Sequence, residues 1–188
     1  MDAFSYLSVL LSVILGLAIQ QVLQGYRGLA LSRRRVTFYA PPIVWSVLIL
    51  LMVAQHWWAS FGLAGRSHWN FAMFAVALVE TALIYMLAAL VLPDIPPDQP
   101  TDLRAHYYRE APIFFGTAAV AIVGSIVREL VIDGRLPRGP NLAFHLIFIA
   151  LSATGALTRR PRIHEALAAL MSLLFVVYIG LLFSQLGS

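Results

Sequence analysis

The chain has 188 residues, 60% of them hydrophobic and only 12% charged, with a mean hydropathy of +0.81. Soluble domains carry roughly 25% charged residues, so this composition specifies a membrane protein and leaves no length for a separate soluble domain. The formal charge of +4 comes from thirteen arginines and no lysine, which in a membrane chain reports orientation rather than nucleic-acid binding; the lack of cysteine excludes disulfides, thiolate metal sites and thiol redox chemistry.

Six apolar runs of about bilayer-crossing length follow one another: Phe4 to Gln24, Ile43 to Gly62, Phe71 to Leu92, Ile113 to Ile132, Leu142 to Leu157 and Ile163 to Leu186. The expected fold is therefore all-α, a six-transmembrane-helix bundle forming one membrane domain. Met1 and Asp2 offer none of the positive charge that opens a secretory signal, so the first span is expected to stay in the protein.

The first span is free of charge and sets Ser8, Ser12, Gly16, Gln20 and Gln24 at an unbroken four-residue spacing. Residues four apart share one side of a helix. That stripe predicts a central packing helix, with protomer contact in a homo-oligomer as the other use of the same face. Pro41 and Pro42 suit the opening of the second helix, where a missing amide proton costs least. Between the third and fourth spans, Pro93, Pro96, Pro97 and Pro100 alternate with Asp94, Asp98 and Asp102 in an extended linker that is expected to divide the helices into two groups of three. Beyond it, Thr101 is a candidate cap for a short helix ending at Glu110, with an interruption at Pro112 before the fourth span. On that span Gly116, Val120, Gly124 and Arg128 share a side, and the two glycines predict close helix approach.

Arginine placement orients the bundle. The first, third and fifth loops hold Arg27, Arg33, Arg34, Arg35, Arg104, Arg109, Arg159, Arg160 and Arg162, against Arg66, Arg128, Arg135 and Arg138 on the other side. The positive-inside bias then places both termini outside, with Arg33, Arg34, Arg35, Arg159 and Arg160 near anionic lipids of the inner leaflet. Trp57, Trp58 and Trp69 fall at the expected outer interface, and Trp45 and Tyr39 at the inner one.

Ionisable side chains within the spans carry the functional expectation. Glu80 lies about 15 Å deep, near the bilayer centre, where a carboxylate costs about 2.5–3.5 kcal/mol unless it is protonated, paired or beside water. His56 and His145 sit at similar depths on separate helices, a minimal arrangement for axial ligation of a b-type haem. Gln55, His56, Glu80, Arg128, Glu129, His145 and Tyr178 all fall in the outer halves of their helices. They predict an outward-opening polar pocket, with Glu80 and His56 as a protonatable pair and Arg128 binding or gating an anion. A small transporter or channel-like protein is the first expectation; a haem- or metal-binding redox subunit and a non-enzymatic lipid-interacting protein are the alternatives.

The segments YLSVLLSVILGLAIQQVLQG (Tyr6 to Gly25) and FYAPPIVWSVLILLMVAQHWWASF (Phe38 to Phe61) resemble a group of small polytopic bacterial membrane proteins without an assigned activity. The resemblance implies a bacterial cytoplasmic membrane and supplies no site residues.

Overall fold

A computed structural model describes residues 3–66, 68–95 and 99–182. It contains six helices long and apolar enough to cross a membrane: α1 (Ala3–Leu31), α2 (Ala40–Ser60), α3 (Phe71–Val91), α4 (Leu103–Asp133), α5 (Gly139–Leu157) and α6 (Pro161–Leu182). The chain is thus an integral, multi-pass membrane protein with the all-α architecture its hydropathy predicts. Residues 183–186 of the expected sixth span, and Pro96, Pro97 and Asp98 of the linker, lie outside the described residues.

Local sequence sets the helix ends. Pro41 and Pro42 occupy the first positions of α2, and Asn70 caps α3 by accepting from the Met73 amide at 2.9 Å. The cap of α4 is Asp102 rather than Thr101: its Oδ1 accepts from the amides of Arg104 (2.8 Å) and Ala105 (3.1 Å). From there α4 runs unbroken for 31 residues with Pro112 inside it, so the expected interruption is absent. Gly134, with φ 67°, terminates α4 in the left-handed conformation that glycine adopts without a Cβ penalty.

Two short strands, β1 (Val36–Thr37) and β2 (Thr101–Asp102), pair in parallel, and the Thr101 amide also donates to Arg35 O at 3.0 Å. One strand precedes α2 and the other α4. The first and third connections therefore meet at one end of the bundle, as consecutive crossings demand. At the opposite end Arg66 pairs with Asp133 and donates to Ile132 O at 2.7 Å, joining the second and fourth connections.

Helices α2 to α6 pack in a closed order, α2 on α3, α3 on α4, α4 on α5, α5 on α6 and α6 back on α2. Helix α1 lies outside this ring against α2 and α3. The linker accordingly separates no pair of three-helix groups, because α3 and α4 pack together across it.

The face of α1 that packs is Leu7, Leu11, Leu15, Ala18 and Val22, all buried. This corrects the stripe reading within a single chain: Ser8 is only half-buried, and Ser12, Gly16, Gln20 and Gln24 are exposed. The serine hydroxyls satisfy themselves on their own helix, Ser8 donating to Ser5 O (2.9 Å) and Ser12 to Ser8 O (2.6 Å). Close glycine packing is also found elsewhere than expected. A Cβ at Gly116 would meet nothing within 4 Å and one at Gly124 only Leu83 at 3.8 Å, whereas at Gly155 it would lie 2.7 Å from the Phe115 ring.

Candidate functional site: a cavity enclosed by five helices

The ring of α2 to α6 encloses a cavity of about 170 Å³. Its walls are mostly apolar. Trp45, Ile49, Leu87, Phe114, Phe115 and Met171 are among the residues toward the β1–β2 end, and α1 contributes none. Polar lining is confined to the other half: Gln55 and His56 from α2, Glu80 from α3, Ser125 from α4, His145 from α5 and Tyr178 from α6. Five of the seven residues expected to share a pocket therefore line a single cavity.

The remaining two hold it from behind. Arg128 is not part of the lining but approaches Glu80, Nε to Oε2, at 2.8 Å. Glu80 is only 7% exposed, so it is paired, one of the three states its depth allows. Both Nε and Oε2 are buried, so water screens the contact little. Glu129 is tied instead to α5, accepting from Asn141 Nδ2 at 2.7 Å.

The histidines are held by bonds that fix their ring protons. Thr81 donates its hydroxyl to Ala77 O (2.8 Å), so its oxygen accepts from His56 Nε2 at 2.9 Å. His56 and Glu80 consequently have separate partners, Thr81 and Arg128, and do not form the expected direct pair. His145 donates from Nδ1 to Asn141 O (2.7 Å), leaving Nε2 to accept from the Ser125 hydroxyl at 3.2 Å. With both His145 nitrogens engaged, the geometry serves hydrogen bonding and does not fit axial haem ligation.

The β1–β2 end of the cavity is closed by a network that the sequence did not disclose. His164, fully buried at the start of α6, donates from Nε2 to Thr158 O (2.9 Å) and accepts at Nδ1 from the Tyr107 hydroxyl (2.9 Å). Tyr107 in turn accepts from Trp45 Nε1 at 3.2 Å. Rings of Tyr107, Tyr108 and Phe115 surround the imidazole at centroid distances of 5.2, 5.1 and 5.6 Å. Trp45 is therefore a core residue rather than an interfacial one. Above the network, outside the spans, Tyr39 bonds Tyr108 hydroxyl to hydroxyl at 2.9 Å; burial and this bond push its phenol above the ordinary value, so it stays protonated. Arg104 lies over the Tyr39 ring at 5.7 Å, and Arg33, Arg34, Arg35, Arg159 and Arg160 are exposed at the same end.

Sequence reasoning missed Thr81, Ser125 and Asn141, which orient the site, because short polar residues in a span carry no distinguishing pattern. The signal for His164 was available in principle: a histidine four residues after Arg160 with two tyrosines on another helix at the same end. Neither a protein-family model nor any curated protein or solved structure matches this chain.

Proposed function

We propose that the protein is a small membrane transporter whose solute chamber is the α2–α6 cavity, open toward the extracytoplasmic side and closed toward the cytoplasm. The observation that carries this reading is the gathering of Gln55, His56, Glu80, Ser125, His145 and Tyr178, drawn from five different helices, at one end of one cavity. Polar side chains in a membrane are retained where they face one another or water, and such gatherings mark solute and ion pathways. Orientation follows the arginine bias. The bonded Trp45, Tyr107 and His164 across the other end favour a carrier, which must rearrange in each cycle, over a permanently open pore.

Uptake of a panel of small organic cations, anions and neutral solutes into proteoliposomes tests the reading. The parent is expected to accumulate at least one of them, and Glu80→Gln to lower that uptake at least about tenfold, a change of about 1.4 kcal/mol. Uptake no greater than in protein-free liposomes, or equal in the variant, overturns it.

Two partner readings accompany it. The exposed Arg33, Arg34, Arg35, Arg159 and Arg160 meet anionic headgroups of the inner leaflet; their replacement by glutamine is expected to reduce the anionic lipid retained on purification. Exposed Gln20 and Gln24 find hydrogen-bond partners in a second copy of α1, so Gln20→Leu with Gln24→Leu is expected to lower the mass of the particle in detergent without unfolding it.

A further inference from the structure

We infer that the cavity takes a small organic cation, its ammonium group held at Glu80 and its hydrocarbon or aryl body lodged between aromatic and thioether walls. This rests on the cavity being a solute chamber. It names the chemistry of the solute, which is the reverse of the anion expected when Arg128 was read as the binding group.

Charge placement makes the first argument. Glu80 is the one Asp, Glu or Arg of the lining, while Arg128 meets it from outside the cavity wall. An anion entering the cavity would therefore meet a carboxylate before it met a guanidinium. The second argument is the carboxylate itself. Arg128 Nε holds Glu80 Oε2 at 2.8 Å, yet Glu80 still lines the cavity. It can therefore offer a protonated amine a charge-assisted bond, roughly twice as strong as a neutral one.

The walls make the third. Trp45, Phe114, Phe115, Phe148, Phe175 and Tyr178 contribute aromatic surface, and Met52 and Met171 contribute polarizable sulfur. Ring faces are negative, so they attract cations and repel anions. The imidazoles spend their protons on the protein, His56 on Thr81 and His145 on Asn141, which leaves few donors for an anion to recruit. Size completes the description. A cavity of about 150 Å³ holds benzene, so about 170 Å³ accommodates a single ring with a short substituent.

Three probes of one shape separate the possibilities: the benzyldimethylammonium ion, its neutral isostere isobutylbenzene, and phenylacetate. Each is radiolabelled and equilibrated by dialysis with proteoliposomes of the full chain, with binding to empty liposomes subtracted. The ammonium is expected to bind at least about tenfold tighter than isobutylbenzene, and phenylacetate more weakly than either. Glu80→Gln is expected to bring the ammonium to within about twofold of the hydrocarbon, whose own binding stays as in the parent. Ala118→Leu, which fills the cavity wall away from Glu80, is expected to weaken both, so the comparison survives if Glu80→Gln does not fold. Preference for phenylacetate, or equal binding of the ammonium and isobutylbenzene, overturns the cation assignment while leaving the chamber in place. Binding of none of the three to folded parent protein overturns both the assignment and the chamber.

Discussion

A carboxylate set into an apolar wall needs a counter-charge, and Arg128 is the residue that brings one to Glu80. Removing one partner of a buried pair leaves the other uncompensated, at a cost of about 3–5 kcal/mol when burial is complete. Arg128 is partly exposed, with 19% of its side chain accessible, so Arg128→Met is expected to cost less, about 2 kcal/mol after screening. The double variant Glu80→Gln, Arg128→Met should recover most of that loss in denaturant unfolding. At the other end of the cavity, Tyr107→Phe removes the hydroxyl between Trp45 Nε1 and His164 Nδ1 and strands two buried groups. The expected loss is about 1–3 kcal/mol, read as a lower melting temperature, whereas Tyr6→Phe on the exposed face of α1 should change nothing. That Glu80 had to be satisfied was legible from its depth alone. Its partner was not, since the sequence left Arg128 equally suited to meeting an anion in the pocket until its contact with Glu80 was seen.

Helices pack through whichever face finds a complementary neighbour, and small residues do not reveal which face that is. In α1 the leucines at 7, 11 and 15 turn inward and the serines beside them turn outward. Hydropathy could not separate these faces, because lipid and protein interior are equally apolar. The same ambiguity shifted the glycine contacts. Gly155→Ala is expected to destabilise the protein by about 1–3 kcal/mol, because its Cβ would press on the Phe115 ring. Gly116→Ala, where nothing lies within 4 Å, should be neutral or slightly stabilising through helix propensity. Comparing the two variants in thermal unfolding checks this. Span number and position were legible because six predominantly apolar stretches of about bilayer length leave few alternatives; the start of α4 was not, since its first ten residues are too polar to read as membrane.

For the molecule as a whole, convergence of the polar residues followed from the membrane itself, which does not tolerate them facing lipid. The ring order of α2 to α6, and the exclusion of α1 from it, had no counterpart in the pattern of hydrophobic residues. Because the chain lacks cysteine, any introduced thiol is unique, and cavity access can be mapped directly. A cysteine at Gln55 is expected to react with a membrane-impermeant maleimide added outside intact cells, and one at Leu87 to be protected. Labelling of both positions only after the membrane is permeabilised would reverse the orientation. Strands β1 and β2 add a mechanical asymmetry. They tie the starts of α2 and α4 together at the closed end through Thr101 N–H and Arg35 O, whereas among the described residues the other end is joined through the Arg66 side chain, which pairs with Asp133 and donates to Ile132 O. On the carrier reading proposed above, parting the tied ends is the slower event, so a bound solute is expected to swap with the external pool many times for each molecule delivered across. Thr101→Pro, which deletes that amide proton, ought to narrow the gap between exchange and net delivery.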